Sequence, residues 1–335
     1  MIKVGINGFG RIGRMVLKAG LNDPDTDFVA VNDLSPTKEL AYLLKYDSAH
    51  GRFNGDVSYD DNHIIIGDKK VRVYSEKDPS NIPWGEHGVD VVVESTGFFR
   101  TRAKASLHLK GGAKKVLVSA PCKCEKGEEP VKTIVIGVNE HDIDKDHDVI
   151  LSNASCTTNC LAPMIKVLND NFGVKRGLMT TVHAYTADQR LVDASHKDPR
   201  RGRSAAINIV PTTTGAAIAV TQVIPELKGK LDGMAMRVPV VDGSITDLTC
   251  ELKKEATPEQ INALFKNVAE HHLNGILEYT EDPIVSHDIL SNPHSCIFDS
   301  ALTKVLDKTF VKVIGWYDNE FGYSYRMIDV LKKMF

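Results

Sequence analysis

The segment Gly8-Phe9-Gly10-Arg11-Ile12-Gly13 follows a strand-like apolar run, IKVGI, and opens an amphipathic helix. Asp33 closes the next β-branched run, FVAVND, twenty residues after Gly13. Each glycine has its own task in such a unit. Gly8 permits the tight turn, Gly10 lets the backbone approach a pyrophosphate, and Gly13 lets the helix pack on the strand, while the helix amides face the phosphates. Asp33 is placed to accept hydrogen bonds from ribose hydroxyls. A glycine triplet alone is a common turn device, but strand, glycines, helix, strand and terminal acid in this order predict a dinucleotide-binding unit.

The same alternation continues to about residue 150. The runs IKVGI, FVAVND, VDVVVEST, KKVLVSA and KTIVIGV read as strands separated by polar helical stretches, which predicts a Rossmann-type, doubly wound, mostly parallel α/β sheet. HIIIG and KVRVYS read as a smaller hairpin inserted into the winding. At 335 residues the chain exceeds the usual size of a single core, so a second domain is expected. From Ser155 onward one helix is followed by longer alternating runs, GLMTTVHAYT, GMAMRVPVV and SITDLTCEL, which suggest half-buried antiparallel strands in an α+β catalytic domain. Residues 189–208 form a basic loop with neither period, and loops of that length are usually functional.

Bulk properties exclude several classes. Hydrophobic residues make up 42%, charged residues 25% and net charge is −3, all ordinary for a globular protein and giving no electrostatic footprint for nucleic acid. No apolar run is long enough to cross a bilayer. The chain reads at once as strand and glycine turn, with no room for a cleavable signal, so a cytoplasmic location is expected. Its six cysteines lack zinc-ligand spacing, so they are expected to be reduced, with no metal site.

Cys156 lies in Ser152-Asn153-Ala154-Ser155-Cys156-Thr157-Thr158-Asn159-Cys160, after a strand and at the start of the helix LAPMIKVLNDNFG. Helix N-termini favour anions and are among the environments that lower a thiol pKa; a fall of about two units would make most of the thiol a nucleophilic thiolate at neutral pH. Buried cysteines are also common as small hydrophobes, and that reading fits Cys160, Cys250 and Cys296. His183, in TTVHAYT, is a candidate acid/base partner, although a histidine in a strand is equally a packed residue and spacing alone does not bring it to Cys156.

NGFGRIGR, ASCTTNC, TTVHAYT, TTTGAA and WYDNEFGYS together resemble glyceraldehyde-3-phosphate dehydrogenase, in order and essentially end to end. That resemblance implies an NAD-dependent, phosphorylating aldehyde dehydrogenase of glycolysis and gluconeogenesis. It implies Cys156 as the nucleophile that forms a hemithioacetal and then a thioester, and His183 as its acid/base partner. Thr186 and Arg237 are implied to bind the C3 phosphate of glyceraldehyde 3-phosphate. Ser155, Thr157, Arg201, Thr214 and Gly215 are implied to bind the attacking inorganic phosphate. Arg11, Ile12, Asp33, Lys77, Ser119 and Asn319 match cofactor positions, with Asn319 expected at the nicotinamide amide. The implied organisation is a dinucleotide-binding domain over 1–153, a catalytic domain over 154–318 and a C-terminal helix over 319–335 that packs back on the first domain. A homotetramer is implied, with the basic loop crossing a subunit interface.

Lys77, Ile218 and the acidic segment 122–132 depart from the family pattern. Asp33-Leu34 favours NAD, whereas Ala194-Ser195 resembles dual-cofactor relatives, so some NADP use is expected. Two other readings remain at this point: erythrose-4-phosphate dehydrogenase, and a cofactor-binding protein with an adhesive or RNA-binding role.

Overall fold

The computed structural model describes residues 1–335, which divide into two compact units. The first comprises residues 1–134, 140–154 and 324–335, and the second residues 135–139 and 155–323.

The first unit is built on a nine-stranded sheet. Its centre is Ile2–Asn7, flanked by Thr26–Asn32 on one side and Val91–Glu94 on the other, all parallel. Val4, Ile6, Phe28, Val31 and Val91 to Val93 are fully buried. Strands covered on both faces in this way are continuously apolar rather than alternating. The turn after the first strand depends on glycine. Gly8 has φ +91°, and a Cβ on Gly13 would lie 2.2 Å from the Gly8 carbonyl oxygen, so the helix Arg11–Gly20 packs at a distance only glycine allows. The C-terminal helix Phe321–Lys333 adds residues 324–335 to this unit. Ile328 closes on Gly20, and Lys332 Nζ reaches Asp23 at 3.0 Å and Asp25 at 2.9 Å.

The second unit carries an eight-stranded sheet on which the helix Cys156–Phe172 packs. The strand Ser244–Leu252 alternates strictly between buried and half-buried positions, as a strand with one covered face should. Phe265 and Phe298 stack at 3.8 Å between ring centroids in its core.

Three expectations change. KTIVIGV is a strand only at Lys132–Thr133, because Gly137 takes φ +81° and the Asn139 side chain accepts the Val135 amide at 2.9 Å, turning the chain out of the sheet. Lys69–Tyr74 is not confined to an inserted hairpin: it also pairs in parallel with Thr26–Asn32, and its mate His63–Ile66 and then Val57–Tyr59 extend the edge. Val174–Ala184 pairs in parallel, not antiparallel, with Leu231–Val238, which makes the second sheet mixed. The segment 189–208 has no helix or strand, as its sequence suggests.

Two glycine substitutions separate fold from ligand. Gly13→Ala should cost about 1–3 kcal/mol or more by overpacking against backbone. Gly10→Ala, where a Cβ would meet nothing within 4 Å, should cost no more than about 1 kcal/mol as an N-cap change yet still weaken dinucleotide binding. Urea unfolding and calorimetric titration with NAD distinguish the two effects.

Candidate active site

Three adjacent parallel strands end in polar residues at matching register: Glu94, Asn7 and Asn32. Asn7 Nδ2 donates to Glu94 Oε2 at 2.6 Å, and Asn32 Nδ2 donates to Asn7 Oδ1 at 2.8 Å. Trp84 Nε1 donates to His108 Nδ1 at 3.1 Å, so the opposite nitrogen of that neutral ring donates to Glu94 Oε2 at 2.9 Å. The other Glu94 oxygen accepts the Thr96 amide at 2.8 Å. A buried carboxylate is thereby fully hydrogen-bonded at the carboxyl ends of the strands, where ligands bind in such sheets.

Above this floor lies a cavity of about 490 Å³ lined by Gly8, Gly10, Asp33, Lys77, Thr96 and Phe98, among others. The helix Arg11–Gly20 has no side-chain cap at Gly10, which leaves its first amides for a ligand. These features fit a dinucleotide. Asp33 accepts the Phe9 amide at 2.8 Å and the Ser35 amide at 3.0 Å, which fixes the carboxylate at the strand end. Arg11, Ile12, Gly13 and Ser119 do not line this cavity. The Arg11 guanidinium instead donates to the buried Asp47 at 2.8 Å, Gly13 serves helix packing, and the Ser119 amide donates to the Glu94 carbonyl at 2.9 Å.

In the second unit, Ser155 caps the helix Cys156–Phe172 and makes Cys156 its first residue. Its Oγ accepts the Thr158 amide at 3.1 Å. Ala154, immediately before the cap, holds φ 55°, a conformation that costs a non-glycine residue about 1–3 kcal/mol and is concentrated at functional sites. Cys156 Sγ lies 3.4 Å from His183 Nε2. His183 Nδ1 is 2.7 Å from the Ala184 carbonyl and also meets Arg237 Nη1; the tautomer that donates Nδ1–H to the carbonyl is the one that leaves the Nε2 lone pair toward sulfur.

Parallel pairing sets His183 beside Arg237. Arg237 Nη1 contacts the imidazole and donates to the Ala184 carbonyl at 2.9 Å. Burial pushes the Cys156 thiol up to about 11, opposed by Arg237 and the Thr157 amide. Burial and then Arg237 push His183 down to about 3. Instead of the lowered thiol expected from the helix N-terminus, burial pushes the thiol up and the imidazole down, which favours the pair as thiol and neutral imidazole. In that state Nε2 is a base in contact with the proton it would remove.

The remaining candidates are held by separate contacts. Arg201 Nε donates to Thr212 Oγ1 at 2.8 Å, Nη2 to the Thr213 carbonyl at 3.2 Å, and Nη1 to Asp188. Gly215 caps the helix Ala216–Val223 without a side chain, and a Cβ there would meet nothing within 4 Å. Thr214 Oγ1 accepts the Ala216 amide at 3.2 Å, and the Thr186 amide donates to Gln189 Oε1 at 3.3 Å. Asn319 is buried with its Oδ1 at 2.6 Å from Ser244 Oγ.

Motif reading passed over two side chains. Tyr317 Oη lies 2.9 Å from Thr157 Oγ1 and 2.8 Å from Thr181 Oγ1, and its ring meets His183 edge-on. It ties the helix carrying Cys156 to the strand carrying His183. Ser244 joins Ala184 to Asn319. Tyr317 stands inside WYDNEFGYS and Ser244 at an inward position of its strand, but neither signal distinguishes a tie from core.

Family comparison agrees with this geometry. Residues 2–102 match the sequence model for "Glyceraldehyde 3-phosphate dehydrogenase, NAD binding domain", and residues 155–319 match that for the C-terminal domain of the same enzyme. Glyceraldehyde-3-phosphate dehydrogenase 2 of Streptomyces avermitilis is 56% identical over 330 residues, covering 98% of this chain and 97% of the relative. Glyceraldehyde-3-phosphate dehydrogenase 1 of Bacillus subtilis is 55% identical over 329 residues, with the same coverage. The enzyme of that name from Geobacillus stearothermophilus is also 55% identical over 329 residues, at 98% and 97% coverage.

His183→Asn should slow alkylation of Cys156 by iodoacetamide about tenfold or more near neutral pH, where the thiol needs a base. The difference should shrink as pH approaches about 11, where the thiol ionises unaided. A variant that alkylates like the parent at pH 7 would show that His183 does not activate the thiol.

Proposed function

The chain belongs to the glyceraldehyde-3-phosphate dehydrogenase family, and from that premise we propose how its residues divide the reaction. It is an NAD-dependent oxidoreductase that converts glyceraldehyde 3-phosphate to 1,3-bisphosphoglycerate. The observation that carries the assignment of roles is the contact of Cys156 Sγ with Nε2 of His183 at 3.4 Å.

His183 takes the thiol proton as sulfur adds to the aldehyde carbon and passes it to the aldehyde oxygen, which becomes the hydroxyl of a hemithioacetal. His183 then accepts that hydroxyl proton while the carbon gives up hydride, leaving a thioester on Cys156. Bound NAD supplies the hydride acceptor. Inorganic phosphate attacks the thioester carbonyl and the Cys156 thiolate departs, so the acyl phosphate keeps the energy of oxidation.

Arg237 and Thr186 hold the substrate's C3 phosphate in this reading, and Ser155, Thr157, Arg201, Thr214 and Gly215 hold the attacking phosphate. Arg201 suits its task through a guanidinium already oriented by Asp188 and Thr212. Ser155 and Thr157 have hydroxyls with existing partners, but each hydroxyl offers one proton and two lone pairs, so a second contact is open to it. Gly8, Gly10, Asp33 and Lys77 take the cofactor through the cavity they line, Arg11, Ile12, Gly13 and Ser119 act through backbone or packing, and Asn319 meets the nicotinamide amide.

Residues 1–153 serve as the cofactor domain, 154–318 as the catalytic domain and 319–335 as the returning helix. Leu191, Val192 and Ile207 in the 189–208 loop are each more than two-thirds exposed, which favours that loop as a contact between subunits of a homotetramer. No helix is long and apolar enough to cross a membrane. The six free cysteines suit a reducing compartment, and the cytoplasm is the proposed one.

NADH formation from glyceraldehyde 3-phosphate and NAD, with and without inorganic phosphate, tests the reading. Turnover should require phosphate, and Cys156→Ser should lose nearly all activity while keeping NAD affinity; activity within tenfold of the parent would remove Cys156 from the chemistry. Arg237→Leu should raise KM for glyceraldehyde 3-phosphate far more than for unphosphorylated glyceraldehyde. Equal loss on both aldehydes would make Arg237 a residue of the fold. Catalytic efficiency should favour NAD over NADP, because the Asp33 carboxylate repels a 2′-phosphate by more than the roughly 1 kcal/mol that one neutral hydrogen bond from Ser195 returns.

A further inference from the structure

The two backbone groups of Ala184 lead to two different parts of the site. Its carbonyl accepts from His183 Nδ1 at 2.7 Å and from Arg237 Nη1 at 2.9 Å. Its amide donates to Ser244 Oγ at 3.1 Å, and that oxygen lies 2.6 Å from Asn319 Oδ1. Ser244 Oγ donates its proton to Asn319 Oδ1, while one of its lone pairs takes the Ala184 N–H. Ser244 is 1% exposed and Asn319 6%, so water does not substitute readily for either partner. The acid/base histidine and the Asn319 amide are thereby held from a single residue of one strand.

A carboxamide side chain turned by half a rotation exchanges its donor and acceptor, and nothing in asparagine itself prefers one orientation. We propose that Ser244 is a positioning residue that locks Asn319 with its amino edge turned from Ser244 and offered as a donor to the nicotinamide carboxamide. The consequence is stereochemical. A nicotinamide ring can rotate about its bond to ribose, and only its carboxamide distinguishes the two ring faces to a protein. An anchor with a fixed donor admits one rotamer, so hydride arrives on one face. An anchor free to exchange donor and acceptor admits both. This rests on the reading of Asn319 given above.

Two readouts test it, one without turnover. Ser244→Ala should weaken NAD binding about fivefold, the equivalent of one neutral hydrogen bond, while affinity for ADP-ribose, which lacks the nicotinamide, stays unchanged. With glyceraldehyde 3-phosphate deuterated at C1, the parent should place deuterium on one face of NADH, and Ser244→Ala should divide it measurably between faces. Ser244→Thr, which keeps the hydroxyl, should restore both properties. Ser244→Cys, close in size with a far weaker donor, gives the same test where the alanine variant does not fold. Loss of stability alone would lower the active fraction without dividing the label. If Asn319→Ala disturbs NAD affinity and face selectivity while Ser244→Ala changes neither, the inference fails and the reading of Asn319 stands. If Asn319→Ala also leaves both unchanged, the reading of Asn319 itself fails.

Discussion

The chemistry of the second unit depends on the register between two parallel strands, Val174–Ala184 and Leu231–Val238, which pairs His183 with Arg237. Side chains paired across a parallel ladder share a face of the sheet, so a cation is held against the imidazole. That contact has two effects. It opposes protonation of His183, and with Nδ1 turned to the Ala184 carbonyl it keeps Nε2 available to sulfur. A one-residue slip would send His183 to the opposite face. Pairing of this strand with Ser244–Leu252 on its other side makes such a slip costly.

Within the first unit, the glycine fingerprint was legible because two of its glycines, Gly8 and Gly13, answer to backbone constraints that no other residue meets. Gly13 cannot accept a Cβ against the Gly8 carbonyl, and Gly8 holds a left-handed φ. Cys156 at the helix start was legible for a similar local reason, a capping serine before a helical period. What escaped reading was long-range. Glu94, His108 and Trp84 form one buried hydrogen-bonded chain, but their separations in sequence carry no period. The parallel pairing of Val174–Ala184 was missed because an alternating run reports which residues are covered and says nothing about the direction of its neighbour. KTIVIGV shows the converse failure: Ile134 and Val135 are fully buried as their apolarity suggests, yet pairing stops at Thr133.

Charge at the thiol shows why local motifs do not determine reactivity. A helix N-terminus draws an anion toward Cys156, and so does Arg237, but both act in a site where burial penalises any charge. Burial acts in the opposite sense on the two partners, raising the thiol and lowering the imidazole. Both shifts favour the neutral pair, so proton transfer at rest is uphill. Substrate alters that balance by bringing its own charge. A phosphate beside Arg237 would offset the cation that holds His183 neutral, and the proton that leaves sulfur would then be received more readily.

In the proposed assignment, that coupling would give the phosphate-binding residues a second role besides affinity. Arg201 is already bound to Asp188 within its own loop, so it enters an encounter with phosphate partly neutralised. Arg237 has no carboxylate within ion-pair distance and shares a carbonyl with His183 instead. A phosphate at Arg201 competes with an existing ion pair, whereas one at Arg237 acts on the base itself. Under the proposed assignment, a phosphate of the aldehyde at Arg237 would favour the proton transfer that begins catalysis, whereas a phosphate at Arg201 would act only on the later step.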